Sequence, residues 1–145
     1  MSKKIAIELN SVDLLKHVLY KDYTFPEVIN HLNLTQERIL MTVRNSDHLP
    51  MVTIARAIGL EKGPFSQTVD KLVDLNLLSR VKSTSDKRLV FLELTQNGEE
   101  LTQLIENSME VHFEKKLNVL TEKQFNDFFN ALEILNKTAT ILISK

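Results

Sequence analysis

The chain has 145 residues, no cysteine and a formal net charge of −1, with 43% hydrophobic and 26% charged residues. These values are typical of one soluble globular domain, and the lack of cysteine excludes disulfides, thiolate metal sites and thiol redox sensors. No apolar run approaches the roughly 20 residues of a membrane-spanning helix, and we recognise no signal peptide. We therefore expect a cytoplasmic protein without membrane contact.

Helical periodicity governs the first half of the chain. Apolar residues from Ile5 to Leu19 recur at helical spacing and predict an amphipathic helix. Thr35 is the predicted N-cap of the next helix. A third helix is predicted from Met51 to Ile58, where Gly59 breaks it.

A helix followed by a β-hairpin is predicted next. The helix runs from Lys62 to Leu75, and Asn76 is its predicted left-handed terminator. Two apolar-rich strands follow, Leu77 to Val81 and Leu89 to Leu94, and the loop composition of residues 83–87 indicates a hairpin tip.

Two long helices complete the chain. Thr95 is predicted to cap a helix that reaches Leu117, and Thr121 with Gln124 forms a capping box that opens the last helix. The predicted fold is therefore mainly α with a small β-wing: a winged helix-turn-helix plus N- and C-terminal dimerisation helices. Residues 35–94 form the predicted DNA-binding lobe, residues 1–34 and 95–145 the dimerisation helices, and together they make one compact domain.

The spacing of three residues predicts the helix-turn-helix. Ala55 is small where the two helices nearly touch, Gly59 allows the positive φ of the turn, and Phe65 plugs the angle between the helices. Val69 and Leu72 continue the buried side of the second helix. The residues left facing outward, wholly or in part, are Lys62, Gly63, Pro64, Ser66, Gln67, Thr68 and Lys71.

These outward side chains have the chemistry of a DNA reader. Gln67 has the amide that reads adenine in the major groove, Ser66 and Thr68 suit bases or phosphates, and Lys71 suits a phosphate. The alternative interpretation is a solvated polar helix face, which any small domain has.

The hairpin tip carries Asp86, Lys87 and Arg88, which favours the first interpretation. A projecting tip places Arg88 in a narrow minor groove, where the negative potential favours guanidinium, and Asp86 is positioned to hold that side chain. In isolation, the same residues would be an ordinary charged β-turn.

Charge is unevenly distributed along the chain. Residues 51–90 contain seven basic and four acidic residues, a net charge of +3, whereas residues 1–50 are neutral and residues 91–145 carry −4. The positive excess therefore coincides with the predicted DNA reader, as nucleic-acid binding requires locally.

Three segments carry a resemblance to a known family: Asn33 to Leu40, Ile54 to Leu60, and Asp86-Lys87-Arg88 with the following Leu94-Thr95-Gln96-Asn97-Gly98. The chain resembles the MarR family of bacterial transcriptional regulators. The resemblance implies a homodimer held by helices from both termini, with two winged lobes on a pseudo-palindromic operator, usually acting as a repressor. It also implies that residues 62–71 are the recognition helix, that Asp86 and Arg88 are wing residues, and that a small-molecule effector releases DNA.

The chain ends independently predict pairing of two copies. The last helix finishes in residues 139–143, which are apolar nearly all round, and such a helix must be buried. A second chain would cover Ile141, Leu142 and Ile143, packing them against Ile5 and Leu9. Packing within one monomer is the alternative.

Other chemistry receives less support. His17, Tyr20 and Arg44 are candidate effector-binding residues between the lobes. No cofactor, catalytic residue or metal ligand is predicted, and the chain is not expected to be an enzyme, because it has no phosphate loop, nucleophile elbow or catalytic triad. His112, with Glu106, Glu110 and Glu114 nearby, leaves a metal-responsive sensor open as an alternative.

The sequence thus predicts a dimeric, sequence-specific DNA-binding transcriptional regulator that acts as a ligand-responsive repressor. A winged-helix module for protein–protein contact, with no DNA binding, is the other alternative. Salt dependence separates the two, because phosphate contacts release counterions.

Overall fold

Six α-helices and one two-stranded antiparallel sheet form the part of the chain that the computed structural model describes, residues 3–29, 31–46 and 48–144. The elements in chain order are α1 (Lys3–Tyr20), a 3₁₀ turn (Glu27–Ile29), α2 (Leu34–Asn45), α3 (Met51–Ile58), α4 (Lys62–Asp74), β1 (Leu78–Lys82), β2 (Val90–Leu94), α5 (Gln96–Leu117) and α6 (Glu122–Ile143). Positions 1, 2, 30, 47 and 145 lie outside the described residues. The predicted fold class, mainly α with a small wing, is confirmed.

The helix caps follow the sequence with one correction. Thr95 accepts the Gly98 N–H, and Thr121 forms the predicted capping box with Gln124. The N-cap of α2 is Asn33 and not Thr35, because the Asn33 side chain accepts the Gln36 N–H while the Gln36 side chain accepts the Asn33 N–H. This reciprocal capping box satisfies two helix-end groups at once, so the helix begins before Thr35.

Both strands lie close to their predicted positions, and each begins one residue later. Asn76 has a φ of 59° and Leu77 donates its N–H to Leu72, so Leu77 belongs to the turn that ends α4. Leu89 donates its N–H to Asp86 and so belongs to the hairpin tip. The register pairs Leu78 with Leu94 and Arg80 with Leu92.

One apolar core joins α2, α3, α4 and the hairpin. Its fully buried side chains include Ile39 and Leu40 from α2, Ile54 from α3, and Phe65 and Leu72 from α4. The hairpin contributes Leu78 and Leu92 to the same core. Helix α4 and the base of the hairpin are therefore held against one rigid body.

Arg44, at the end of α2, joins this lobe to α5. Its guanidinium donates to Glu106 at 3.0 Å, to Glu99 at 3.3 Å, to Thr102 at 3.1 Å and to Gln103 at 2.7 Å. Only 16% of the Arg44 side chain is exposed, so these charge-assisted hydrogen bonds are partly shielded from solvent. They fix α2 against the long helix α5.

The terminal helices remain largely uncovered in the single chain. No described residue of α6 is buried, and Phe129, Ile141 and Leu142 are exposed. Ile5 and Leu9 of α1 are exposed as well. The structure therefore does not pack these apolar residues within the monomer. In the described part of the chain, no helix has the length and apolar character to cross a membrane.

One buried carboxyl gives a pH-dependent prediction. Burial raises the pKa of Glu37, partly opposed by the neighbouring Arg38. The folded protein therefore holds this proton more tightly than the unfolded chain, and the free energy of unfolding falls as pH rises through the Glu37 pKa. We expect Glu37→Gln to melt at a higher temperature than the unmodified protein at pH 7, and the gain to vanish below about pH 4. Thermal unfolding at both pH values measures this.

Glu100→Gln is the matched control, because Glu100 is exposed on α5. It should leave the melting temperature nearly unchanged at both pH values. A Glu37→Gln variant that is less stable at pH 7 would show that the carboxylate is stabilised by a partner and not penalised by burial.

Candidate nucleic-acid interface

Helices α3 and α4 meet at an angle that three residues make possible. Gly59 ends α3 with a φ of 73°, in the left-handed region that favours glycine. Ala55 and Phe65 are buried, so the small side chain and the ring fill the angle between the helices as predicted. Val69 and Leu72 continue the buried side of α4. The opposite side of α4 therefore points away from the core.

That opposite side of α4 is polar and accessible. The predicted contact residues are exposed at Lys62, Gly63, Pro64, Gln67 and Lys71 and half-exposed at Ser66 and Thr68. The Thr68 hydroxyl donates to the Pro64 carbonyl at 2.9 Å, so it is left as an acceptor. The carboxamide of Gln67 carries both the donor and the acceptor that an adenine edge requires.

The wing tip holds its arginine in an ordered position. Ser83 accepts the N–H groups of Ser85 and Asp86, which closes the turn. The Arg88 guanidinium donates to both Asp86 oxygens at 3.1 Å, and these contacts lower the pKa of Asp86. Because 89% of the Arg88 side chain stays exposed, the guanidinium is aligned yet available.

A contact between α4 and β1 places the hairpin beside α4. Arg80 of β1 donates to the Asp70 carboxylate at 2.5 Å and to the Ser66 carbonyl at 3.5 Å. Sequence reasoning counted Arg80 only as part of the positive excess and did not foresee this pair. The polar side of α4 and the hairpin therefore lie next to each other and are joined by side-chain contacts.

These pairings reduce the basic charge that remains for a ligand. Arg80 forms an ion pair with Asp70, and Arg88 forms one with Asp86. Lys62 and Lys71 on α4 and Lys87 on the tip are exposed. A phosphate backbone would thus meet lysines on the helix and a lysine beside an aligned arginine on the wing, a pattern suited to positioning on DNA.

The three candidate effector residues do not share one location. Arg44 lines an open groove of about 290 Å³ together with His48, Leu92 and Glu99, and its donors are used by α5. Tyr20 instead packs its ring against Phe113, with the ring centroids 5.1 Å apart. His17 is exposed on α1. The prediction that they bind an effector stays a prediction.

An aromatic cluster that the sequence did not reveal surrounds Tyr20. It consists of Tyr20, Tyr23, Phe25, His112 and Phe113, whose ring centroids are 5.1–6.3 Å apart between neighbours. The Nε2 atom of His112 is buried there and has no hydrogen-bond partner. Burial, with Glu37 and Tyr23 as further causes, raises the pKa of Tyr20. The residues come from α1, the following loop and α5, so their meeting depends on the tertiary fold.

The acidic residues around His112 do not form a metal centre. Within residues 3–29, 31–46 and 48–144, no group of three or more His, Cys, Asp or Glu side chains is placed to hold a metal ion. Glu106 binds Arg44 instead, and the His112 ring stacks edge-on against Tyr23. Nothing in the described geometry favours the metal-responsive alternative.

Comparison with known proteins shows a similarity to one family of regulators. A model of the MarR family matches residues 32–90, a range that contains α2, α3, α4 and the hairpin tip. The transcriptional regulator AdcR of Streptococcus pyogenes serotype M6 is 29% identical over 107 residues, which cover 74% of this chain and 69% of that protein.

Solved structures share the fold along nearly the whole chain. A crystal structure of MarR superimposes with a TM-score of 0.67 at 21% identity, covering 98% of this chain and 93% of that one. Streptococcus pneumoniae FabT in complex with DNA has a TM-score of 0.60 at 16% identity, covering 97% and 95%. These likenesses establish the winged-helix fold. Residues 32–90 of this chain thus match the MarR family, and the chain as a whole shares its fold with solved MarR structures.

Proposed function

We propose that the protein is a homodimeric, sequence-specific DNA-binding repressor of the cytoplasm. In this proposal, α4 enters the major groove of a pseudo-palindromic operator and the wing enters the adjacent minor groove. The main support for this proposal is that the exposed polar side of α4 lies beside the hairpin. On that hairpin, Asp86 orients the Arg88 guanidinium, which stays accessible to solvent. The DNA complex of FabT, which has the same fold, supports it.

The uncovered terminal helices support the homodimer. Many apolar side chains on α1 and α6 lie on the surface of the single chain, and large exposed apolar areas commonly mark an interface. A second copy is the occupant that fits, because a two-fold axis would cover both helices with the same residues. It would also place two recognition helices about one helical turn of DNA apart, ~34 Å.

Replacing Arg88 with alanine tests the DNA reader. We expect the operator affinity to fall about tenfold, because one charge-assisted minor-groove contact of about 1–3 kcal/mol is lost. Melting temperature should stay nearly unchanged, since the Arg88 side chain is 89% exposed. Fluorescence anisotropy with a labelled operator duplex, at several salt concentrations, measures both the affinity and its salt slope.

Lys115→Ala is the matched control, because Lys115 is an exposed cation on α5, away from the wing. It removes the same charge and should leave operator affinity within about twofold. Normal affinity for a folded, dimeric Arg88→Ala variant would refute the role of the wing. Absence of salt-dependent duplex binding by the unmodified protein would favour the protein–protein module instead.

We place the effector site of this proposal at the aromatic cluster of Tyr20, Tyr23, Phe25, His112 and Phe113. The unpartnered Nε2 of His112 offers a hydrogen bond inside an apolar setting, which is how small-molecule sites fix orientation. The cluster lies between α1 and α5, next to the DNA-binding lobe that α5 holds through Arg44. A bound aromatic molecule would thus act close to the junction between the lobe and the dimer helices.

A further inference from the structure

We propose that Arg80 and Asp70 form a positioning pair that fixes the wing against the recognition helix, so that Arg80 serves DNA binding without contacting DNA. The inference rests on the proposed DNA-binding function. It is based on the contacts of this pair: the Arg80 guanidinium on β1 donates to the Asp70 carboxylate and to the Ser66 carbonyl, both on α4.

The pair lies midway along the hairpin, at the last level that the core holds. Leu78, at the base of the hairpin, and Leu92, midway along it, are buried in the core. Arg80 lies one pleat further toward the tip, on the same face of β1 as Leu78, and its cross-strand partner is Leu92. Among the hydrogen bonds of the described residues, those of Arg80 are the only side-chain bonds that join α4 to the hairpin. One residue nearer the tip, Phe91 forms a β-bridge with Pro50 and its ring stacks on that of His48, so elements other than α4 hold the hairpin there.

The distance between α4 and the wing tip decides whether both can contact the same duplex. A major-groove helix and a minor-groove arginine engage the same duplex only when their separation and angle fit it. Fixing the hairpin before binding removes the conformational entropy that ordering it on DNA would otherwise cost. One guanidinium nitrogen, Nη2, donates to both acceptors, so the Arg80 side chain is held to two neighbouring turns of α4.

The negative charge of Asp70 allows the positioning role to be distinguished from a purely electrostatic effect. Asp70 lies three residues after Gln67, hence on the polar side of α4, and 62% of its side chain is exposed. An unpaired carboxylate there would repel DNA phosphates. Simple electrostatics therefore predicts that removing the Asp70 charge tightens DNA binding. If the pair positions the wing, removal of the Asp70 charge should weaken operator binding, because the wing is then no longer fixed against α4.

We would measure the affinities of Asp70→Asn and Asp74→Asn for the selected operator and for random duplex DNA. Asp74 is exposed at the end of the same helix, so its variant removes the same charge without disturbing Arg80. For Asp70→Asn, we expect operator affinity to fall about threefold or more, consistent with the coupling of a partly exposed ion pair. Binding to random DNA should be unchanged or tighter, and Asp74→Asn should bind the operator as well as or better than the unmodified protein.

A double variant separates positioning from direct contact. Asp70→Asn with Arg80→Gln keeps the net charge, and it should bind no more weakly than either single variant if the two residues act as one pair. If Arg80 instead binds a phosphate, Asp70→Asn should bind more tightly. In that case Arg80→Gln should also lower the salt slope by about one. Either of these results would overturn the proposal.

Amide hydrogen exchange tests the pair without DNA. The amides of β1 and β2 beyond Arg80 should exchange faster in Asp70→Asn than in Asp74→Asn, with equal melting temperatures. Unchanged exchange would overturn the positioning role. If the unmodified protein binds no duplex, the proposed function fails, whereas this readout still decides whether the pair holds the hairpin.

Discussion

Replacing Gly98 with alanine should lower the free energy of unfolding by about 3 kcal/mol, at the upper end of the cost of overpacking. A Cβ atom at this position would lie 2.1 Å from the Leu77 carbonyl oxygen. That carbonyl accepts the N–H of Thr95, so it cannot move away without loss of a hydrogen bond between the turn after α4 and the start of α5. Chemical denaturation followed by circular dichroism measures the change.

Gly63→Ala is the matched control for Gly98→Ala. Gly63 lies in the first turn of α4, and a Cβ atom there meets nothing within 4 Å. Alanine is the better helix former by about 1 kcal/mol, so this variant should be equally stable or more stable. Equal stabilities of the two variants would show that α5 does not pass as closely over Leu77 as the structure places it.

Leu142→Glu should convert the proposed dimer to monomers. The Leu142 side chain is 70% exposed near the end of α6, in the area that a second copy would cover. Burying an unpaired carboxylate in an apolar interface costs several kcal/mol, so the dimerisation constant should weaken about 100-fold or more. Sedimentation velocity across a concentration series measures the monomer–dimer equilibrium, and circular dichroism checks that the helices persist.

Val119→Glu is the control for this variant. Val119 is 85% exposed and lies in the turn between α5 and α6, about 33 Å along the helix from Leu142. The same substitution there should leave the dimer intact. A fully dimeric Leu142→Glu variant would place the interface elsewhere. An unmodified protein that is monomeric at micromolar concentration would contradict the homodimer itself.

Local signals in the sequence accounted for most element boundaries. Gly59 and Asn76 end their helices because a positive φ suits glycine and asparagine there, and both residues do adopt it. Thr121 with Gln124 forms a capping box whose partners are only three residues apart. Such features depend on nearest neighbours, so the sequence is sufficient to predict them.

The α2 cap shows where two local signals compete. Thr35 and Asn33 are both residues that cap helices well, and choosing between them required the partner at the third helical position. Gln36 supplies that partner for Asn33. The strand boundaries moved by one residue for a related reason, since Leu77 and Leu89 are used by the turns on either side of the hairpin.

Contacts between distant elements were beyond prediction. Arg44 pairs with Glu106, 62 residues later, and sequence reasoning assigned Arg44 to an effector site. Arg80 pairs with Asp70 across two elements, and sequence reasoning counted it as free positive charge. Long side chains reach many partners, and only the packing of α4, β1 and α5 decides which carboxylate is close. The roles of the outward residues of α4 in DNA binding remain predictions for the same reason, because they concern a partner outside the chain.

Selection of bound fragments from random duplex DNA tests the central claim most directly. That claim is that two copies of the chain each present a polar helix and an arginine-tipped wing to one duplex. We expect the selected sequences to contain an inverted repeat with half-sites about 10 base pairs apart, centre to centre, because the two-fold axis of the dimer must coincide with that of the operator. Enrichment of a single unrepeated site, or no enrichment at low salt, would contradict it.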